Sequence, residues 1–177
     1  LTGAAYVGSG VLGSAVGMDK AMAKAVLGAA GVPQARYRVA RGWELTDDLV
    51  ADIAADLGFP IFVKPANMGS SVGVSRAIDA AALDVAIDAA LAHDEIVIFE
   101  EAISGRELEI AVLGNEHPRV SVVGEIIPAA EFYDYDDKYR DGAAKTVVPA
   151  DLPPGAAEEM GDLALRNDSA AAATSCI

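Results

Sequence analysis

The amino-acid sequence predicts an α+β fold, and three observations support that class. Up to about residue 107, segments with the spacing of amphipathic helices alternate with short apolar segments typical of strands. After residue 107, strand-like segments follow one another directly and are joined by a turn. The 177 residues are 53% hydrophobic and 23% charged, which is the composition of a globular protein with a substantial core.

Helices are predicted before residue 107 wherever an N-cap residue is followed by an apolar face. The first spans residues 19–30, with Asp19 as its N-cap and Gly31 as its stop signal. Thr46 begins the second helix, and Asp79 begins the third, in which apolar residues recur at every fourth position. Caps and apolar faces therefore agree on where each helix starts.

Short apolar or alternating segments between these helices predict strands. They are residues 36–40, residues 60–63, residues 72–76 as the hairpin partner of 60–63, and residues 96–101. Past residue 107, the segments ELEIAVLGN and RVSVVGEII predict consecutive strands, joined by a turn at residues 114–118. A last helix is predicted from about Pro154 to Leu165, and the segment RNDSAAAATSCI after it has no period.

Charge and composition argue against several classes of function. With 13 basic and 27 acidic residues the net charge is −14, so the chain repels nucleic acid and anionic lipid. No apolar run is long enough to span a membrane, and the first residues lack the basic region of a signal peptide. Cys176 is the single cysteine, which excludes an internal disulfide. We expect a cytoplasmic protein without nucleic-acid or membrane partners, with His93 and His117 at the surface.

The segment GSGVLG at residues 8–13 formally matches the G-x-G-x-x-G pattern of dinucleotide-binding proteins. That site needs a hydrophobic strand before the glycines and an acidic residue about 20 positions later for the ribose. Only a few residues precede Gly8, and no acidic residue lies between Asp19 and Glu44. We therefore interpret the segment as a glycine-rich connection and reject a redox Rossmann protein.

The segment VKPANMGSSVGVS at residues 63–75 is the strongest candidate for a binding site. Lys64 stands at the end of a buried strand, where Pro65 stops the strand and fixes the direction of the amine. Ser70 and Ser71 place hydroxyl groups and successive N–H groups in a loop that can form an anion-binding nest. In a generic sequence, hairpin glycines and a surface lysine would explain the same pattern. The order of these parts nevertheless favours phosphate binding through a hairpin loop.

Other charged and aromatic residues extend this candidate site. Lys20 lies in the first turn of a helix, where the helix dipole disfavours a cation, although a solvated surface lysine is the alternative. Glu100, Glu101 and Glu107 form either a solvated edge or a hinge that meets an adenine and accepts hydrogen bonds from the ribose. The aromatic loop FYDYDDKYRDGAA, residues 132–144, is predicted to be a lid over the cleft.

Together these segments resemble the ATP-grasp ligases, and among them the D-alanine–D-alanine ligases. The resemblance runs in order from about residue 6 to residue 165. The motifs that carry it are YVGSGVLGSAVGMDK, FPIFVKPANMGSSVGVS, IFEEAISGRELEIAVLGN, VGEIIP, FYDYDDKYRDGA and VPADL. It implies the ATP-grasp fold and the ATP-dependent ligation of two D-alanines to D-alanyl-D-alanine through an acyl phosphate, for peptidoglycan synthesis.

The resemblance also implies roles for individual residues. Lys20 and Lys64 are expected to hold the ATP phosphates, and Glu107 is expected to bind the ribose. The other nucleotide contacts are expected from the loop over the γ-phosphate and from an adenine hinge that uses backbone groups: Ser70, Ser71, Val72, Glu100, Glu101, Ala102 and Ile103. In the ω-loop, Lys138 is expected to face phosphate and Tyr139 to contact Ser70, which makes these three the catalytic candidates. This Lys-Tyr pair makes the D-alanyl-D-lactate activity of related ligases the less expected one.

By resemblance the chain divides into four parts. They are the end of an N-terminal substrate domain or linker (1–19), the central ATP-grasp domain (20–107), the start of the C-terminal domain (108–165) and a divergent tail (166–177). Full-length members bind Mg²⁺ and ATP and carry the metal ligands beyond the last helix, so no metal ligand is assigned here. We therefore expect negligible ligase activity from this chain alone and a homodimer for a full-length parent. The alternatives are a non-catalytic ATP-binding remnant and an ATP-grasp carboxylate–amine ligase with another substrate.

Overall fold

The computed structural model describes residues 8–128 and 144–173, and it confirms the predicted α+β class. Its helices are α1 (Val11–Met18), α2 (Lys20–Ala29), α3 (Asp47–Leu57), α4 (Ala80–Leu91) and α5 (Ala156–Ala173), with a 3₁₀ turn at Gly42–Glu44. Its strands are β1 (Tyr37–Arg41), β2 (Ile61–Pro65), β3 (Ser75–Ala77), β4 (Ile96–Glu101), β5 (Glu107–Glu109), β6 (Val112–Leu113), β7 (Arg119–Val120), β8 (Gly124–Ile127) and β9 (Lys145–Val147). In the described part of the chain, no helix combines the length and the apolar character that crossing a membrane requires.

A four-stranded antiparallel sheet lies at the centre of the first part of the chain, in the order β1-β4-β2-β3. The predicted hairpin between β2 and β3 is confirmed, although β3 begins at Ser75 and not at Val72. Residues 69–74 form tight turns before the strand, so their backbone groups bond within the loop and not across the ladder. The hairpin therefore has a longer loop and a shorter second strand than the sequence predicted.

Strand alternation divides the side chains of this sheet between two faces. One of them, which we call the packed face, carries Ile61 and Val63 of β2 together with Val97 and Phe99 of β4, and each of these is 0% exposed. Helices α3 and α4 cover it with their own buried residues, namely Ile53, Leu57, Leu83, Ala86, Ile87 and Ala90. The packed face is therefore the main hydrophobic core.

The opposite face, which we call the lysine face, carries the side chains at the intervening positions. Phe62 and Lys64 of β2 lie on it, and Glu100 of β4 is the direct cross-strand partner of Phe62. Helix α2 meets this side of the molecule, because the Lys20 N–H donates to the carbonyl oxygen of Ala66 at 3.0 Å. The same two strands thus build the core with one set of residues and present charged groups with the other.

The predicted N-caps Asp19, Thr46 and Asp79, which begin α2, α3 and α4, are confirmed. The Asp19 carboxylate accepts hydrogen bonds from the N–H groups of Ala21 and Met22, at 2.9 and 3.0 Å. Thr46 and Asp79 each accept one hydrogen bond from the N–H of the third residue that follows them. These side chains satisfy N–H groups that have no partner within the helix, which is why the helices start there.

Two predictions about less regular segments are wrong. The segment GSGVLG is not merely a connection, because helix α1 begins at Val11 inside it. This helix packs against α2 and α5, and its Gly13 is buried. The last helix does not stop at Leu165 but continues to Ala173. Alanine has the highest helix propensity and a helix already formed extends at little cost, so the alanine-rich segment needs no apolar period to continue it.

Beyond residue 107 the strands form two smaller antiparallel sheets, β5-β8-β9 and β6-β7. Each long strand predicted there is divided in two, ELEIAVLGN into β5 and β6, and RVSVVGEII into β7 and β8. Helix α5 contacts β6 and β7 as well as α1 and α2, so it joins the late strands to the start of the described chain. The domain boundary near residue 107 stays a prediction.

Candidate functional site

Three lysines and one glutamate come together on the lysine face, and we call Lys20, Lys24, Lys64 and Glu100 the lysine cluster. Glu100 is shared by two of the lysines: Nζ of Lys24 lies 2.8 Å from its Oε1, and Nζ of Lys64 bonds its Oε2. The side chains of Lys24, Lys64 and Glu100 are only 16%, 24% and 12% exposed. Because these charges are largely shielded from water, they interact more strongly than surface charges do.

Lys20 reaches the cluster from the first turn of α2. Its Nζ donates to the carbonyl oxygens of Pro65 and Ala66, at 3.2 Å each, and to that of Met68. Burial and, after it, the positive charge of Lys64 lower the pKa of Lys20. The structure therefore brings the ammonium groups of Lys20 and Lys64 to one place, where the end of β2 leads into a loop.

Glu100 keeps its charge within this cluster. Burial alone would raise the pKa of Glu100, but the charges and hydrogen bonds of Lys64 and Lys24 hold it below its ordinary value. The lysine cluster therefore carries three positive charges against one negative charge. Asp19 and Asp94 also act on Lys20, so the cluster gathers three amines beside acidic residues in a chain whose formal net charge is −14.

Residues 69–74, which we call the serine loop, follow the end of β2. Ser70 and Ser71 have φ values of 52° and 60°, a left-handed conformation that residues other than glycine rarely adopt. The Val72 N–H donates to the carbonyl oxygen of Gly69 at 3.0 Å, which closes a turn around the two serines. Strain of this kind persists where the surrounding structure imposes it and is concentrated at functional sites.

A cleft of about 650 Å³ lies between the four-stranded sheet and β8, at the end of β4. Three of the predicted nucleotide contacts line it: Ala102, Ile103 and Glu107. The Ala102 N–H donates to the carbonyl oxygen of Pro60 at 3.2 Å, which fixes the path of this connection. Ile103 is 69% exposed, so an apolar side chain is accessible at the mouth of the cleft.

Glu101 is placed differently from the neighbouring Glu100. Its carboxylate binds Arg36, with Oε2 2.7 Å from Nε and Oε1 accepting from the Arg36 N–H at 2.8 Å. Hydrogen bonds from the backbone and side chain of Arg36 lower the pKa of Glu101. Strand alternation places this side chain on the opposite side of β4 from the lysine cluster. The arrangement fits the expectation that Glu101 contributes through its backbone.

The sequence interpretation missed Lys24. Lys24 follows Lys20 by four positions on α2, which places both ammonium groups on one face of the helix, so the signal was present in the sequence. Lys138 and Tyr139, by contrast, were predicted but fall within residues 129–143, outside the described residues. Their roles stay predictions.

A metal-binding group does not form among the described residues. Within residues 8–128 and 144–173, no three or more His, Cys, Asp or Glu side chains are grouped so that they could hold a metal ion. His93 and His117 are both exposed, as predicted.

Known proteins resemble this chain over most of its length. The family model described as the C-terminus of D-Ala D-Ala ligase matches residues 25–171. The D-alanine–D-alanine ligase of Deinococcus radiodurans is 49% identical over 170 residues, which cover 94% of this chain and 50% of that protein. The enzyme of the same name from Geobacillus kaustophilus is 48% identical over 163 residues, covering 90% and 44%. The chain spans about half the length of the curated relatives it matches.

Solved structures agree with these sequence matches. The VanG D-Ala:D-Ser ligase from Enterococcus faecalis superposes with a TM-score of 0.82 at 33% identity, covering 92% of this chain and 47% of that one. The D-alanine–D-alanine ligase from Coxiella burnetii gives a TM-score of 0.80 at 29% identity, covering 94% and 43%. The arrangement of helices and strands described above is therefore shared with both.

Proposed function

This chain belongs to the D-alanine–D-alanine ligase family, whose fold is the ATP-grasp fold, and we propose that it forms the ATP-binding part of such a ligase. The proposed reaction joins two D-alanines to D-alanyl-D-alanine for peptidoglycan synthesis, at the expense of ATP. The observation that carries the proposal is the convergence of Lys20, Lys24 and Lys64 beside the serine loop. A partly buried group of amines next to a strained loop of small residues is suited to a triphosphate.

The proposed chemistry has two steps. A carboxylate oxygen of the first D-alanine attacks the γ-phosphorus of ATP, the bond to the bridging oxygen breaks, and ADP leaves with the electron pair. The free amine of the second D-alanine then attacks the resulting acyl phosphate, inorganic phosphate leaves, and the amine loses a proton. Phosphoryl transfer depends mainly on positioning and charge neutralisation, which fixed lysines provide.

We assign the binding of each part of ATP to specific residues. Lys20 and Lys64 hold the phosphate groups, and Ser70, Ser71 and Val72 of the serine loop close over the γ-phosphate. Glu100 to Ile103 form the hinge beside the adenine, and Glu107 binds the ribose from the same cleft. Lys138 towards phosphate and Tyr139 towards Ser70 complete the site. Closure matters because an acyl phosphate hydrolyses in open water.

Magnesium is part of the family's chemistry, in which it neutralises charge on the transferring phosphate. The described residues do not form a group that could hold it, so they do not account for the metal. Their own contribution is to bind and orient the phosphates through the ammonium groups of the lysine cluster. We also propose that the parent protein acts in the cytoplasm, where ATP is available, and that it is a homodimer.

A second substrate preference is supported by one comparison. The chain superposes on a D-Ala:D-Ser ligase as well as on D-alanine–D-alanine ligases. Ligation of D-alanine to D-serine is therefore the alternative, and the segment 129–143 that would bear on it lies outside the described residues. Supplying D-alanine and D-serine to the full-length parent ligase and separating the dipeptide products would show whether D-alanyl-D-alanine or D-alanyl-D-serine is formed.

Titration of the chain with Mg-ATP tests the central proposal. We expect Lys64→Met to weaken binding by about tenfold or more, because a charge-assisted hydrogen bond to phosphate is lost. Lys145→Met is the matched control, since Lys145 is exposed on β9. Equal affinity of the wild type and Lys64→Met would show that the lysine cluster is not the phosphate site.

A further inference from the structure

The turn between α4 and β4 holds the chain that leads into the serine loop. In that turn, Oδ2 of Asp94 accepts hydrogen bonds from both the backbone N–H and the side-chain amide of Asn67, each at 2.8 Å. Its other oxygen, Oδ1, accepts from the N–H of Ile96 at 3.2 Å. One carboxylate therefore joins Asn67, two residues before the serine loop, to β4, the strand that carries Glu100.

The same turn also touches the far end of the serine loop. Gly73 has a φ of 71°, and a Cβ added to it would lie 2.6 Å from Cδ2 of His93 and 3.1 Å from Cγ of Pro65. Gly69, at the near end, is in open space, with no atom of the described residues beyond its own neighbours within 4 Å of such a Cβ. The loop is thus held at its far end by Gly73 and through Asn67 in the segment before it, and it is open at Gly69.

We propose that Asp94 is a positioning residue, which holds the serine loop in place to receive the phosphate groups of a nucleotide. This inference rests on the proposed function, because it assigns Asp94 to the same site. Asp94 acts through Asn67: it fixes the direction in which the chain leaves β2 and so the place where Ser70 and Ser71 present their N–H and hydroxyl groups.

A carboxylate suits this task better than a neutral acceptor would. Burial alone would raise the pKa of Asp94, but the hydrogen bonds from Asn67 and Ile96 hold it below its ordinary value, so the acceptor is charged. Charge-assisted hydrogen bonds are roughly twice as strong as neutral ones. Burial and Lys64 lower the pKa of Lys20, and the charge of Asp94 opposes that lowering. Asp94 therefore also favours the protonated amine beside the loop.

The test compares Asp94→Ala with the double variant Asn67→Asp/Asp94→Asn. In the double variant the carboxylate and the amide are exchanged. Oδ1 of residue 94 can still accept from the N–H of residue 67, and its amide can donate to the new carboxylate, whereas the N–H of Ile96 loses its acceptor. Asp88→Asn is the control, because it removes one negative charge from an exposed position on α4. The probes are Mg-ATP and AMP, and amide exchange is followed at Val72 and Val74, whose N–H groups close the turns of the loop.

We expect Asp94→Ala to weaken Mg-ATP binding about tenfold while AMP binding changes less than about twofold, because the loop serves the outer phosphates. We expect amide exchange at Val72 and Val74 to accelerate severalfold. The double variant should recover part of the lost Mg-ATP affinity, since its acceptor at residue 94 is neutral, and Asp88→Asn should match the wild type.

Equal losses for Mg-ATP and AMP, or no recovery in the double variant, would overturn the positioning role, since a general structural defect gives those results. Amide exchange separates this inference from the proposed function. If the wild type binds neither nucleotide, the proposed function fails. Faster exchange in Asp94→Ala would then still support Asp94 as the residue that holds the loop, whereas unchanged exchange would reject it.

Discussion

The two faces of the four-stranded sheet are built by the same strands and yet differ in charge, although Ile98 on the lysine face is also fully buried. On the packed face, Ile61, Val63 and Phe99 are completely buried under α3 and α4. On the lysine face, Lys64 and Glu100 are charged and partly exposed, and α2 reaches them with two further amines. Residues that differ by one position in these strands therefore differ in which face they lie on, and the charged ones lie on the lysine face.

This separation shows how a small sheet can carry a polar site without weakening its core. Burying an ionised group in the core would cost several kcal/mol unless it were paired. Here Lys24 and Lys64 pair with Glu100 on the opposite side of the sheet from the hydrophobic cluster that α3 and α4 cover. Substitutions on the two faces should accordingly affect stability and nucleotide binding to different degrees.

The largest effect on stability is expected from the packed face. Phe99→Ala should lower the free energy of unfolding by about 3–5 kcal/mol, because it removes a fully buried aromatic ring and leaves a cavity. Phe62→Ala, on the lysine face, should cost less than half as much, since Phe62 is partly exposed. Urea denaturation of both variants measures the difference, and equal losses would contradict the division into two faces.

A smaller effect is expected from Glu100, and it should depend on pH. At neutral pH, Glu100→Gln should lower the free energy of unfolding by about 2 kcal/mol, because Lys24 and Lys64 lose a charged partner. The pKa of Glu100 lies below its ordinary value of 4.5 in the folded protein, so its contribution is present above that value. It is lost as the pH falls from about 4.5 through the lower folded pKa.

The measurement is the free energy of unfolding of the wild type and Glu100→Gln between neutral and acid pH. The difference between the two should be constant at neutral pH and should shrink as the solution becomes more acid than pH 4.5. Glu109→Gln, at an exposed position of β5, is the control. A difference that grows on acidification would contradict the lowered pKa.

The smallest effect on stability is expected from removing a helix N-cap, and it compares a helix at the lysine face with a helix over the packed face. Asp19→Ala and Thr46→Ala each remove an N-cap, and each should lower the free energy of unfolding by about 1 kcal/mol. The first cap belongs to α2, which carries Lys20 and Lys24, and the second belongs to α3 over the packed face. Only Asp19→Ala should also weaken Mg-ATP binding, by about threefold, which titration of both variants would detect. Equal affinities would show that the start of α2 does not matter for the site.

Caps and apolar patterns in the sequence predicted those helices and strands whose formation depends on neighbouring residues. The caps at Asp19, Thr46 and Asp79 lie where expected, and so does the apolar strand before Lys64, because capping and alternation depend on neighbouring residues only. The helix that begins at Val11 was not predicted, since it lies in a glycine-rich segment and its packing against α2 and α5 comes from distant parts of the chain.

In the candidate site, too, residues in recognisable motifs were predicted and residues that depend on distant contacts were missed. Lys20 and Lys64 were expected to meet, and they do, because their elements and positions could be recognised from motifs. The partner of Lys24 could not be predicted from spacing alone, since Glu100 lies 76 positions further along the chain and only the sheet brings it close. Asp94 was missed for the same reason, because nothing near it in sequence indicates a bond to Asn67.

Strand β2 places Val63 in the core and Lys64 towards the other amines, one step apart. Loss or gain of a single residue between Ile61 and Lys64 would move each following side chain of the strand to the other face of the sheet. The ammonium group of Lys64 would then lie on the packed face, beside Phe99 and Leu83. Exchange of one aliphatic side chain for another at these positions is a mild change by comparison. The number of residues in this strand is therefore a stricter requirement than the identity of its apolar members.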